Sequence, residues 1–156
     1  MAGFVVGNIK LNEIDKAQTL IKSVFDKYIA PGYSPEGIRH FYEFITLEAI
    51  ISRLITKSFM LAARTENEII GVAEIRDYSH ISLLFTAEAY HGNGVARTLI
   101  RTAIDKCLQK NKELKSITVK ASPYAVPIYE KLGFSCSEPE QVLNGLRFTP
   151  MIRTLK

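Results

Sequence analysis

The chain has 156 residues, of which 47% are hydrophobic and 23% charged, and its formal net charge is +4. This length suits one domain with a substantial core, and the composition excludes a disordered chain; no apolar run approaches the roughly 20 residues of a membrane span, and the scattered basic residues exclude the concentrated face of a nucleic-acid-binding protein. Two cysteines, Cys107 and Cys136, form neither a disulfide framework nor a metal site, and the N-terminus lacks a secretion signal, so we predict a cytoplasmic protein.

Strands and helices alternate in the predicted order of elements. Residues 4–11 alternate weakly and suit a first strand, and apolar residues then recur at helical spacing from Ile14 to Tyr28. A loop rich in proline and glycine separates this helix from a second helical region, residues 36–54, which we expect to be interrupted near residues 44–47. The remaining predicted elements are a hairpin of residues 59–65 and 68–77, a strand at 81–86, a long helix from 94, a strand at 116–121, a short helix at 124–132, a strand from 134, a loop at 138–145 and a last strand at 146–155.

Residues 81–104 contain the clearest functional pattern in the chain. A short apolar strand leads into a turn with Gly92 and Gly94, and an amphipathic helix follows with its apolar residues on one stripe. A helix that begins at such a turn directs unpaired N–H groups and the positive end of its dipole outward. This arrangement predicts an anion site, and phosphate is the usual anion. We therefore expect a cofactor that carries phosphate.

Two common phosphate-binding motifs fail at this turn. A P-loop requires Gly-x-x-x-x-Gly-Lys-Ser/Thr, and neither Gly92 nor Gly94 is followed by that spacing. A dinucleotide-binding fingerprint requires Gly-x-Gly-x-x-Gly, but Arg97 stands where the third glycine belongs. The acidic residue expected at the end of the following strand, residues 116–121, is also missing.

A third interpretation fits the residues. The string HGNGVA at residues 91–96 resembles the Gln/Arg-x-x-Gly-x-Gly/Ala signature of the GNAT acetyltransferase family, and residues 83–86 are similar to the strand that precedes it. Residues 125–134, AVPIYEKLGF, resemble the second motif of the family, Ala-x-x-Leu-Tyr-x-x-x-Gly-Phe. Two positions depart from the pattern: His91 replaces Gln or Arg, and Ser122 stands where many members have Asn.

The resemblance implies a fold and a cofactor. The expected fold is α/β (α+β), a single domain over residues 1–156 with a mixed, mostly antiparallel sheet of six to seven strands and about four helices. Two central parallel strands, residues 81–86 and 116–121, should splay apart, so that free backbone groups near Phe85 and Thr86 bond the pantetheine arm of acetyl-CoA, the co-substrate, while the glycine turn holds its pyrophosphate. The predicted cofactor-binding residues are Leu84, Phe85, Thr86, His91, Gly92, Asn93, Gly94, Val95, Ala96, Arg97, Ser122 and Tyr124.

The implied chemistry is direct transfer of an acetyl group to a primary amine. Tyr129, at the tyrosine of the second motif, is the predicted acid that protonates the departing thiolate. A base must assist the amine, and Glu74 is our prediction for it because it lies on the hairpin strand beside the signature strand. Asp77, Glu43 and His40 remain open as alternatives.

The acceptor is not specified by any motif. Acceptor specificity should lie in residues 30–54 and 138–147, since loops vary on a fixed scaffold. Tyr33, Phe41 and Tyr42 with Glu43 suggest a small cationic amine or a peptide N-terminus. The expected partners are thus a small-molecule amine or peptide, without nucleic acid or membrane, and the family resemblance adds a possible homodimer. The alternative is a regulatory module that binds acetyl-CoA or CoA without catalysis.

Overall fold

One twisted sheet organises the protein, whose computed structural model describes residues 3–155. Within that range there are eight strands: β1 (Val5–Asn8), β2 (Ser58–Arg64), β3 (Ile69–Arg76), β4 (His80–Thr86), β5 (Ser116–Ala121), β6 (Ser135–Cys136), β7 (Gln141–Leu143) and β8 (Leu146–Thr154). Seven of them follow the spatial order β1-β2-β3-β4-β5-β8-β6, and β7 pairs with β8 outside this path. All neighbouring strands are antiparallel except β4 and β5.

Helices cover both faces of the sheet. The α-helices are α1 (Ile14–Val24), α2 (Pro35–Phe44), α3 (Leu47–Thr56), α4 (Val95–Lys110) and α5 (Val126–Lys131), and a π-helical turn, Phe25–Ile29, extends α1. The buried stripe of α4 packs on one face, and α1 and α3 pack on the other. Strand β3 is buried along nearly its whole length because it lies between the two layers. Among the described helices, none combines the length and the apolar composition that crossing a bilayer requires.

The two parallel strands diverge, as predicted. Strand β4 pairs with β5 only at His80↔Thr118 and Ile81↔Val119. A bulge at Ser82 reverses the orientation of the following residues, since Glu74 pairs with Leu83 while the adjacent Ile75 pairs with Ile81. From Ser82 onward β4 therefore has β3 on one side and no strand on the other, which leaves a cleft between β4 and β5.

The predicted fold class is confirmed, and the differences are confined to small elements. The expected interruption of the second helical region is confirmed, because α2 ends at Phe44 and α3 begins at Leu47, where the Thr46 hydroxyl accepts a hydrogen bond from the Ala49 N–H at 3.1 Å. The loop predicted at residues 138–145 instead contains β7. Asn144 and Gly145 both have positive φ and form the turn of a β7–β8 hairpin. Residues 3–155 thus contain eight strands and five α-helices, rather than six to seven and about four.

Candidate active site

Two cavities meet where β4 and β5 diverge. The first, which we call the glycine-turn cavity, measures about 510 Å³ and is lined by the turn after β4, the start of α4 and one face of α5. The second, the hairpin cavity, measures about 320 Å³ and lies between α2, the sheet and the β7–β8 hairpin. Five residues line both cavities: Ile29, Leu84, Phe85, Ala125 and Tyr129.

The glycine turn presents free backbone donors to its cavity. Gly92 and Gly94 have φ of +84° and +80°, a conformation that favours glycine. The N–H groups of His91 and Asn93 donate to carbonyls of the preceding turn, whereas those of Gly92 and Gly94 have no acceptor among the described residues. The first N–H groups of α4 are also free, since they have no carbonyl one turn earlier in the helix. This end of α4 is therefore suited to an anion.

Ten of the twelve residues predicted to bind the cofactor line the glycine-turn cavity. The exceptions are Asn93 and Ser122. Ser122 lines the hairpin cavity instead, and its hydroxyl accepts a hydrogen bond from the Ala125 N–H at 3.3 Å, which holds the chain that enters α5. The structure adds Lys131, a cation at the same cavity as Arg97. The second motif contains Lys131, but its pattern allows any residue there, so sequence reasoning missed it.

His91 fastens the turn to the end of β4. Its Nε2 lies 2.9 Å from the carbonyl oxygen of Thr86, and because a carbonyl only accepts, Nε2 carries the proton. Its ring also lies 5.6 Å from the ring of Tyr28, centroid to centroid. Tyr28 stacks in turn on Tyr124, a residue that lines the cavity, at 5.0 Å. These ring contacts join the π-helical turn to the segment before α5.

Tyr129 occupies the junction of the two cavities. Its side chain lies on α5, packs edge-on against Phe134 at 5.3 Å, and is only 5% exposed. Burial raises the pKa of Tyr129, so its hydroxyl stays protonated at neutral pH. No hydrogen bond joins this hydroxyl to another of the residues in the range 3–155, which leaves it free to donate to a bound molecule.

Glu74 is not positioned as a base, and this prediction is corrected. The side chain is fully buried rather than exposed, and it lines neither cavity. Its two oxygens accept hydrogen bonds from Nε and Nη2 of Arg53 at 2.7 and 3.0 Å. Arg53 also donates to the carbonyl of Phe44 at 2.7 Å and covers its ring. Glu74 therefore holds α3 and the end of α2 against β3.

Of the other base candidates predicted from the sequence, His40 is the one among the described residues that lines either of these two cavities. It projects from α2 into the hairpin cavity, whereas Glu43 is exposed on the same helix outside it. Asp77 lies in the turn between β3 and β4, 3.5 Å from Arg76. His80, which sequence reasoning had not selected, also lines the hairpin cavity and bonds to the hydroxyl of Thr118 at 2.8 Å. Burial and the nearby charges of Arg76 and Lys120 lower the pKa of His80 to about 4.

Comparison with known proteins identifies the family. Residues 29–155 match the family model described as the acetyltransferase (GNAT) domain. The chain belongs to the GNAT acetyltransferase family. A search of curated proteins found no significant match.

Solved structures share the fold of this GNAT domain over nearly its full length. A GCN5-related N-acetyltransferase from Rhodopseudomonas palustris is 23% identical with a TM-score of 0.82, and the match covers 99% of this chain and 98% of that chain. A PaiA N-acetyltransferase from Thermoplasma acidophilum, in complex with coenzyme A, is 16% identical with a TM-score of 0.79, and the match covers 97% and 99%. An aminoglycoside 6'-N-acetyltransferase complexed with coenzyme A is 11% identical with a TM-score of 0.72, and the match covers 97% of each chain.

The β7–β8 hairpin closes one cavity of this GNAT domain through a contact between two glycines. A Cβ on Gly37, near the start of α2, would overlap the carbonyl oxygen of Gly145 in the hairpin turn. Nearby, the Tyr33 hydroxyl donates to the carbonyl of Arg147 at 3.2 Å. Leu143, the last residue of β7, lines the hairpin cavity beyond this contact. The close approach of α2 and the hairpin therefore sets the width of the cavity.

Proposed function

We propose that this GNAT domain transfers an acetyl group from acetyl-CoA to a primary amine of a small molecule or peptide. The observation that supports it is the meeting of two cavities at Tyr129. A transferase must bring two substrates together at one acid or base, and a binding module needs only one cavity. The glycine-turn cavity would take the donor, and the hairpin cavity would take the amine.

The residues that line the glycine-turn cavity are suited to acetyl-CoA. The N–H groups of Gly92 and Gly94 and the first turn of α4 would hold the pyrophosphate, and Arg97 and Lys131 would add positive charge. The unpaired edge of β4 near Phe85 would bond the pantetheine amides as an added strand does. Unpaired buried backbone groups are costly, so this edge is suited to such a partner.

The transfer forms a bond from the amine nitrogen to the acetyl carbon and breaks the bond from that carbon to sulfur. Tyr129 gives its proton to the departing thiolate, and the proton that the amine nitrogen loses as the amide forms returns to the tyrosinate oxygen, so Tyr129 is regenerated. The amine must first be neutral, and because a lysine-like amine has a pKa of about 10.4, this costs roughly 4 to 5 kcal/mol at pH 7. His40 is our candidate to accept that proton, directly or through water, because it projects into the amine cavity.

Replacing Gly94 with leucine should abolish tight binding of the donor. The leucine side chain would extend from the turn into open space, because no atom lies within 4 Å of the position that its Cβ would take. There it would block the approach of the pyrophosphate. Losing one or two hydrogen bonds to a charged group should weaken binding about 10- to 100-fold. Calorimetric titration with acetyl-CoA measures this, and we expect micromolar affinity for the unaltered protein.

Gly133→Leu is the matched control for this variant. Gly133 also has a positive φ, of +94°, but it lies outside the glycine-turn cavity. Both variants carry the same backbone strain, about 1 to 2 kcal/mol. Equal affinity of Gly94→Leu and the unaltered protein for acetyl-CoA would contradict the site.

Thiol release with a panel of amines then separates the transferase from the silent module, since a module that only binds CoA releases no thiol.

Replacing Gly37 with alanine should raise the KM for the amine and leave the affinity for acetyl-CoA unchanged. The added methyl group would push the β7–β8 hairpin away from α2 and widen the hairpin cavity, so we expect the KM for the amine to rise about tenfold. The Kd for acetyl-CoA should stay the same. Gly32→Ala is the control, because its Cβ would have no neighbour closer than 3.9 Å. Steady-state kinetics that show equal KM values for both variants would contradict the role of the hairpin.

A further inference from the structure

Three side chains with basic groups lie on the floor of the hairpin cavity. Arg76 pairs with His80 across β3 and β4, and His80 pairs with Thr118 across β4 and β5. Paired residues project to the same face of a sheet, as the hydrogen bond between His80 and Thr118 shows. Lys120 is two residues beyond Thr118 and so projects to that face as well. Arg76, His80 and Lys120 all line the cavity.

The positive charge of Arg76 and Lys120 is only partly balanced. No aspartate or glutamate is among the described residues that line the hairpin cavity. Glu74 lies on the same face of β3, but Arg53 occupies both of its oxygens. Asp77 faces Arg76 from the exposed turn at 3.5 Å. Lys120 has no carboxylate within 4 Å among residues 3–155, and its Nζ lies 5.3 Å from the centre of the Phe148 ring, a wall of the cavity.

The Lys120 charge lies some distance from Tyr129, where the acetyl group would be transferred. Lys120 follows Val119, which pairs with Ile81 at the last position before β4 and β5 diverge. Phe85, which lines both cavities, is four residues beyond Ile81 along β4, a span of roughly 13 Å. Most of the other residues that line this cavity are apolar or aromatic, among them Phe41 and Phe44 from α2. A bound amine near Tyr129 would therefore extend through an apolar passage toward Lys120.

We propose that the acceptor is an amine that carries an anionic group several bonds from its nitrogen, joined to it by an apolar chain. Lys120 and Arg76 bind the anion by charge-assisted hydrogen bonds, and the aromatic walls bind the chain. The proposal rests on the proposed function, since it places the amine at Tyr129. The cationic acceptor suggested by Glu43 does not fit, because Glu43 lies outside the cavity and a second cation would meet unbalanced positive charge.

Three amines of one chain length test this proposal. Thiol release from acetyl-CoA is measured with 6-aminohexanoate, hexylamine and 1,6-diaminohexane, whose far ends are anionic, apolar and cationic. We expect kcat/KM to fall in that order, by about tenfold at each step, the usual effect of one hydrogen bond to a charged group. Turnover of 6-aminohexyl phosphate beside 6-aminohexanoate decides whether the site prefers phosphate or carboxylate. Equal or better use of hexylamine or the diamine than of both anionic amines overturns the proposal, and so does thiol release with none of the four.

Substitutions of Lys120 test whether its charge binds the anionic end of the acceptor. Lys120→Gln should lower the ratio of kcat/KM for 6-aminohexanoate to that for hexylamine about tenfold, and Lys120→Glu should reverse the preference toward 1,6-diaminohexane. Lys115→Gln, an exposed lysine just before β5 and outside the cavity, is the control and should keep the ratio. An unchanged ratio in Lys120→Gln overturns the assignment. Failure of acetyl-CoA to bind, by contrast, would refute the proposed function, because that titration involves no amine.

Discussion

Replacing Tyr129 with phenylalanine is expected to lower kcat about 100-fold, the usual contribution of a positioned acid. The phenylalanine ring keeps the edge-on contact with Phe134 and the packing of α5, so only the proton donor is lost. The Kd for acetyl-CoA should change little. Steady-state kinetics together with calorimetry separate the two effects. Full activity of the variant would remove Tyr129 as the acid.

The pH profile adds a second readout for Tyr129. Burial raises the pKa of this phenol, so the protonated form that the reaction needs persists above the ordinary tyrosine value of about 10. We therefore expect no loss of kcat from tyrosine ionisation below about pH 10.

Tyr78→Phe, which removes a hydroxyl outside both cavities, is the control for Tyr129→Phe and should retain activity. A fall of kcat in Tyr78→Phe that matched Tyr129→Phe would indicate a general effect of hydroxyl removal.

Replacing Glu74 with glutamine should destabilise the protein by about 3 to 5 kcal/mol, because it leaves the charge of Arg53 buried without its partner. For a chain of this size, 3 kcal/mol corresponds to a fall in Tm of about 6 to 12 °C. Below the new Tm, kcat should stay close to that of the unaltered protein. Thermal unfolding and kinetics on the same sample test both expectations.

Two further variants show whether the buried pair itself is responsible. Replacing both partners, Arg53→Met with Glu74→Leu, should recover most of the lost stability, since an apolar pair carries no desolvation cost. Glu140→Gln breaks an ion pair with Arg147 in which both side chains are 44% exposed. It should change Tm far less than Glu74→Gln does. A stable Glu74→Gln variant with a greatly reduced kcat would restore Glu74 as the base.

The order of elements could be predicted from the sequence because local patterns determine it, whereas the cleft was implied by the family resemblance. The glycines that end the turn before α4, the apolar run of β4 and the stripe of α4 are each readable within a few residues. The family motifs then link two such patterns to one cleft. The predicted homodimer and cytoplasmic location depend on surfaces and surroundings beyond these patterns, and they stay predictions.

The roles of several side chains could not be predicted because their partners are distant in the chain. Glu74 lies on β3, which is buried along nearly its whole length, and its partner is Arg53, 21 positions earlier on a helix. The contact of Gly37 with Gly145 likewise joins an ordinary helix residue to a turn near the end of the chain. Only the Asn144-Gly145 dipeptide carried a local signal, that of a tight hairpin.

The stack of Tyr28 on Tyr124 makes the donor cavity visible to spectroscopy. The chain has seven tyrosines and no tryptophan, so its near-ultraviolet emission comes from tyrosine alone. Tyr90, Tyr124 and Tyr129 line the glycine-turn cavity, and Tyr28 stacks on Tyr124 beside it. Three of the seven tyrosine rings thus line one site, and a molecule that enters it should separate or shield them. Tyrosine emission should therefore report the binding of acetyl-CoA that we propose for this cavity, without an added fluorophore.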